Sequence, residues 1–294
     1  MRHIEGKFKG LGGLDLYYQS WHPEAQVQAV VVMVHGLGAH SSLFDQVVRY
    51  LVGQEYEVYA FDLRGHGRSP GQRGHIGAWT EFREDLRAFL QHIQTQRASC
   101  PCPYFLWGHS LGGTIALDYA LRSPDLLQGL IVSAPALGRV SVSRGKLIVG
   151  RLLSGVFPRF SLRLGIPSDL GSRDPTLLLS YTQDPLRHEY GSARLATEFF
   201  MTVDWIYKHA SDLQIPLLLL HGSADQVIHP ESSRAFFQQV MFSDKEHHEY
   251  PGCYHDLYVD VDYQKVFADL ENWLERHLAG SPACEALGLC MVRY

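Results

Sequence analysis

Short continuous apolar runs recur along the chain, and each breaks into glycine or polar residues at its C-terminal end. Ala29–Val34 (AVVVMV) runs into HGLG, Tyr56–Phe61 (YEVYAF) into DLRGHGRSPG, and residues 104–107 (YFLW) into GHSLGG. Residues 129–132 (GLIV) run into SAPAL, and residues 216–220 (PLLLL) into HGSAD. Apolar runs of about four to eight residues bounded by turn residues mark strands buried on both faces of a parallel sheet. Between them the period changes to that of helices, over residues 44–51, Thr80–Gln96, Leu111–Arg122, Glu231–Gln239 and a closing Tyr263–Leu278. In Thr80–Gln96 the apolar Phe82, Leu86, Phe89, Leu90 and Ile93 recur at three-to-four spacing among charges, as an amphipathic helix requires. Strands alternating with helices predict an α/β fold with a mostly parallel sheet covered by helices on both faces.

The alternation lapses once, over residues 136–211, where helical pieces replace clear strands. The expected organisation is therefore a core in two parts, 1–135 and 212–279, with a helical insertion at 136–211 and a tail at 280–294. The insertion's first part holds no Asp or Glu between Leu126 and Ser168, but six basic residues: Arg139, Arg144, Lys146, Arg151, Arg159 and Arg163. Val140, Val142, Leu147, Ile148, Val149, Leu152, Leu153, Val156, Phe157 and Phe160 are interleaved with them. A basic and apolar stripe of this kind suits a transient contact with a membrane surface, and equally ordinary helix packing with solvated charges.

Composition narrows the class. The 294 residues are 46% hydrophobic, with 26 Lys and Arg against 31 Asp and Glu, a net charge of −5. That excludes a disordered chain and a basic nucleic-acid binder. No run approaches the roughly 18 apolar residues of a membrane span, and the start lacks the apolar block of a signal peptide, so a cytoplasmic protein, peripheral at membranes through the insertion, is expected. The cysteines, Cys100, Cys102, Cys253, Cys284 and Cys290, are odd in number, which favours reduced thiols over a disulfide framework. Cys100 and Cys102 lie too close together, and too far from other Cys/His pairs, for zinc spacing, and neither metal nor organic cofactor is expected. Oligomeric state is open at this level.

The strongest chemical signal is Gly108-His109-Ser110-Leu111-Gly112, a GxSxG match between a strand and a helix. In a nucleophile elbow the chain reverses within a residue or two, so small neighbours are needed where side chains would collide. The turn would hold the Ser110 hydroxyl at a helix N-terminus, where backbone N–H groups favour developing negative charge. A serine hydroxyl is a weak nucleophile near neutral pH and needs a base, itself oriented by an acid. Asp225 lies just past the strand that ends in HGSAD, and His255 just past HHEYPG; Ser, Asp, His is the chain order this elbow predicts. Among 16 histidines, His247 and His248 fall inside the strand and His229 in the loop after Asp225, so His255 is the expected base. Two N–H donors for a developing oxyanion are expected at Leu111, after the nucleophile, and at Leu37, in the turn His35-Gly36-Leu37-Gly38. Asp62 and the Gly65-His66-Gly67 turn read as loop-shaping, His109 as packing under the elbow, and Cys253 as a small buried group or, alternatively, a thiol whose modification blocks the site.

HGLG, FDLRGHGRSPG, GHSLGG, SAPAL and LLLLHGSAD followed by GCYH together resemble the monoacylglycerol lipase and lysophospholipase branch of the α/β-hydrolases, which are serine aminopeptidase-like hydrolases. The resemblance implies an α/β-hydrolase fold and a nucleophile at Ser110. It also implies triad partners at Asp225 and His255, an oxyanion hole from Leu37 and Leu111, and a mobile cap in the insertion. The implied reaction is cleavage of a long-chain acyl ester, such as a monoacylglycerol or lysophospholipid, through an acyl-enzyme. The same triad serves a general carboxylesterase, a thioesterase or an aminopeptidase, and a binding protein that lost catalysis would keep the fold alone. Dehalogenase and epoxide hydrolase chemistry needs a carboxylate nucleophile where this chain has Ser110.

Overall fold

The computed structural model describes residues 1–98, 102–138, 154–165 and 170–278. Arg139, Arg144, Lys146 and Arg151 of the basic stripe, Cys100, Cys284, Cys290 and the expected tail lie outside the described residues.

An eight-stranded sheet forms the centre. Its strands are β1 (Arg2–Lys9), β2 (Asp15–His22), β3 (Ala29–Val34), β4 (Tyr56–Phe61), β5 (Tyr104–His109), β6 (Gly129–Ser133), β9 (Leu217–Gly222) and β10 (Lys245–Tyr250). They lie in the order β1-β2-β4-β3-β5-β6-β9-β10, with β2 antiparallel to its neighbours and the rest parallel. β3, β4, β5, β6 and β9 are buried along their whole length, which is why they read as unbroken apolar runs.

Helices cover both faces. α1 (Asp45–Gly53) and α7 (Tyr263–Leu278) pack on one, against Met33, Trp107 and Leu218; α2 (Thr80–Gln96) and α3 (Leu111–Arg122) pack on the other, against Val32, Leu106 and Leu130. α6 (Glu231–Gln239) joins the α2 and α3 side through Phe236.

Two features depart from the sequence reading. The β1–β2 hairpin extends the sheet by two antiparallel strands that carry no continuous apolar run; β1 is an edge strand with only Phe8 buried. The insertion also contains a small antiparallel pair, β7 (Ser161–Arg163) and β8 (Tyr190–Ser192), beside the helices α4 (Pro175–Gln183) and α5 (Ala193–His209). Asp174 caps α4 by accepting from the Thr176 and Leu177 N–H groups, and Ser192 caps α5 by accepting from Leu195 N–H. Core and insertion are stitched together by Ser192 N–H to the Gly74 carbonyl (2.9 Å), His188 N–H to the Gly38 carbonyl (3.0 Å) and His40 Nε2 to Asp184 Oδ2 (2.7 Å).

Candidate active site

All five predicted site residues lie beyond the C-terminal ends of strands: Leu37 after β3, Ser110 and Leu111 after β5, Asp225 after β9 and His255 after β10. Ser110 sits in a backbone conformation that non-glycine residues rarely adopt, φ 55°, ψ −119°, between the last residue of β5 and the first of α3. Such strain persists only where the surroundings over-determine it. Here the Ser110 N–H is held by the Ser133 carbonyl of the neighbouring strand (3.0 Å), and its carbonyl accepts from Thr114 and Ala136. The turn also brings α3 against β3 so closely that a Cβ on Gly112 would lie 2.0 Å from the Val34 carbonyl oxygen, which only glycine permits.

Three side chains from three strand ends form one continuous chain of hydrogen bonds. His255 Nδ1 lies 2.7 Å from Asp225 Oδ2, and His255 Nε2 lies 3.0 Å from Ser110 Oγ. A carboxylate can only accept, so Nδ1 carries the proton and donates to Asp225, leaving Nε2 to accept from the Ser110 hydroxyl. Asp225 is itself held on both oxygens. Val227 N–H (2.8 Å) and Ile228 N–H (2.9 Å) donate to Oδ1, and His221 Nε2 (3.2 Å) shares Oδ2 with His255.

Burial works against ionisation of Asp225, but the charge of His255, the hydrogen bonds of His221 and His255 and the Ile228 N–H outweigh it and hold the carboxyl well below the usual range. For His255, burial opposes protonation most strongly. The charge of Asp225, its hydrogen bond and the charge of Asp256 nevertheless raise the imidazole above its ordinary value.

Ser110 and His255 line a cavity of about 370 Å³ between the strand ends and the insertion. Leu37, Ala39, Leu43 and Val227 give it an apolar wall, and Tyr181, Asp184, Arg187 and His188 of the insertion give it a polar one. Leu37 is half-buried on that wall, and Leu111 opens α3 immediately after Ser110, where helix N–H groups have no intrahelical partner.

Asp62 is loop-shaping, as expected: Oδ1 accepts from the Ser41 N–H and hydroxyl, and Oδ2 from Arg68 N–H. Cys253 is buried, with its sulfur 3.3 Å from Arg173 Nη2. Sequence reasoning did not single out His221, whose only signal is its place in HGSAD beside the predicted acid. It also left Tyr181, Asp184 and His188 unremarked, since these reach the site from the insertion.

Among the described residues, His109, His255 and Asp256 each offer a ligand atom, all within 4.8 Å of one another. Tetrahedral zinc would draw such atoms to about 3.5 Å, and all three groups are already engaged in hydrogen bonds, so they form a polar network rather than a preformed metal site.

A mostly parallel sheet with helices on both faces and a serine on a strained strand-to-helix turn defines an α/β-hydrolase. The sequence profile described as "Serine aminopeptidase, S33" matches residues 25–262, and the chain belongs to that family. It is 31% identical over 277 residues to the monoacylglycerol lipase of Mycolicibacterium smegmatis, covering 93% of this chain and 98% of that protein. The crystal structure of Paleococcus ferrophilus monoacylglycerol lipase superposes with a TM-score of 0.81 at 32% identity, over 89% of this chain and 99% of that one. A soluble variant of monoglyceride lipase from Saccharomyces cerevisiae, in complex with a substrate analog, gives 0.83 at 26% identity, over 92% and 94%.

Proposed function

We propose that this chain is a serine hydrolase that releases the fatty acid of a monoacylglycerol through an acyl-enzyme on Ser110. The observation that carries the reading is the unbroken contact Ser110 Oγ, His255, Asp225, of which Ser110 and His255 line a cavity with one apolar and one polar wall. The names of the relatives support an ester of glycerol with one acyl chain as the substrate class.

In this mechanism His255 Nε2 takes the Ser110 proton as Oγ attacks the ester carbonyl, and the Leu37 and Leu111 N–H groups receive the developing oxyanion. Asp225 holds the Nδ1–H tautomer and stabilises the imidazolium. His255 then protonates the departing glycerol oxygen, and afterwards draws a proton from the water that attacks the acyl-enzyme. The insertion acts as a cap over this chemistry through its residues Tyr181, Asp184, Arg187 and His188. Its described surface exposes Val156 (68%), Phe157 (63%) and Phe160 (50%) beside exposed Arg159 and Arg163, which supports docking on a lipid surface.

The test is a panel of micellar monoacylglycerol, lysophosphatidylcholine, short soluble esters and amino-acid amides, run with wild type and Ser110→Ala. Wild type is expected to release fatty acid from monoacylglycerol fastest, and Ser110→Ala to lose about 10⁶-fold in turnover and all fluorophosphonate labelling. Turnover confined to short esters or amides would remove the lipid assignment. A variant that keeps most activity would remove Ser110 as nucleophile.

A further inference from the structure

We propose that Asp256, held by His109, is a second positioning carboxylate of the site: the pair ties the residue after the base to the residue before the nucleophile, and the charge of Asp256 supports the imidazolium that forms on His255. The proposal rests on the reading of Ser110, His255 and Asp225 as a triad.

Its geometry begins in the sheet. Phe105, Trp107 and His109 alternate onto the same face of β5, the face covered by α1 and α7, so an apolar column ends in a histidine just before Ser110. Across the ladder His109 pairs with Ser133. Trp107 Nε1 donates to Ser133 Oγ (2.9 Å), which leaves the Ser133 hydroxyl proton for His109 Nδ1 (3.1 Å). His109 Nε2 therefore carries its proton and donates to Asp256 Oδ1 (2.9 Å). The imidazole of His109 is neutral in this arrangement, and burial accordingly depresses its basicity. The charge of Asp256 is thus held in place without being cancelled.

A buried carboxylate is costly unless it is hydrogen-bonded, and an apolar side chain would fill the same space without that cost. The groups facing Asp256 come from every element around it. They are His109 from β5, His255 and Tyr258 from its own loop, Tyr181 from α4, and Arg187 just beyond α4, stacked on the Tyr181 ring at 4.1 Å. The ring of His109 stands 4.9 Å from that of His255, and Asp256 N–H is anchored on the Gly171 carbonyl (2.7 Å). The loop bearing the base is therefore gripped by the nucleophile's strand on one side and the insertion on the other.

The experiment is the pH dependence of kcat/KM on 4-methylumbelliferyl butyrate for wild type, Asp256→Asn, Asp256→Glu and His109→Gln. Removing the charge is expected to move the acid limb of Asp256→Asn down by about 0.5–1 pH unit and to lower the plateau about tenfold. Asp256→Glu restores the limb. His109→Gln, which keeps a neutral N–H donor, leaves the limb in place. Asp256→Ser removes the same charge in a smaller side chain and carries the comparison where Asp256→Asn does not fold. An unshifted limb in Asp256→Asn and Asp256→Ser, or equal shifts in Asp256→Asn and Asp256→Glu, overturns the proposal. Loss of all turnover in Ser110→Ala alongside an unshifted limb leaves the triad reading standing, whereas activity retained in Ser110→Ala removes the triad reading itself.

Discussion

Asp225 accepts four hydrogen bonds, from Val227 and Ile228 N–H and from the rings of His221 and His255, so its geometry is fixed from three directions. Asp225→Asn is expected to keep that geometry and to offer an amide N–H to His255. The imidazole would turn to the wrong tautomer, and turnover would fall about 10⁴-fold with little change in thermal midpoint. Activity needs His255 unprotonated, and its basicity is raised above the ordinary value by the charge and hydrogen bond of Asp225 against the opposing effect of burial. The acid limb of the wild-type kcat/KM profile is therefore expected above pH ~6.5, with the rate falling as pH drops through it. A limb below that value would contradict the pairing. At this scale Ser110, Asp225 and His255, which the structure brings together, were legible because each falls just past a predicted strand, Ser110 and Asp225 after an apolar run and His255 after the polar HHEYPG. The bond between His109 and Asp256 was not, because the partners are 147 positions apart and neither type in its local context calls for the other.

Helices on the sheet coincide with their periodic segments: Thr80–Gln96, Leu111–Arg122, Glu231–Gln239 and Tyr263–Leu278 are observed with the expected ends. Their burial explains why. α7 sets Val266, Phe267, Leu270, Trp273 and Leu274 on one buried face, at the spacing the sequence displays. Trp273 is fully buried, edge-on to Phe105 at 5.7 Å, over Gly129, where a Cβ would come within 2.5 Å of its ring. Trp273→Ala is expected to cost about 3–5 kcal/mol in urea unfolding, since that slot is walled by strands that cannot collapse into it. A loss below about 1 kcal/mol would show that α7 is not clamped there. Elements that escaped the sequence reading lack such a signal. β1 is an edge strand carrying Arg2, Glu5, Lys7 and Lys9, and β7 and β8 are three residues each, too short for a period.

The whole molecule has its candidate site at the C-terminal ends of the strands, with Tyr181, Asp184, Arg187 and His188 of the insertion lining it from the other side. The insertion is clipped to the turn bearing Leu37 by the His188 N–H to Gly38 carbonyl bond and the His40–Asp184 contact. The described residues contain no helix long and apolar enough to cross a membrane. The lipid contact proposed above rests on exposed apolar side chains, Val156, Phe157 and Phe160. Phe157→Ser with Phe160→Ser is expected to lower co-sedimentation with anionic phospholipid vesicles several-fold while leaving hydrolysis of a soluble ester intact. Unchanged vesicle binding would count against docking through this surface. By itself the sequence determined the layered α/β fold, the strand-to-helix turn at Ser110 and the candidates for acid and base, because burial on both faces and a tight reversal each leave a local mark. Only the tertiary structure decided that α4 and its following loop bring Tyr181 and Arg187 to the site, and that Asp256 faces His109. Those contacts join segments whose separation in the chain leaves no periodic or steric trace.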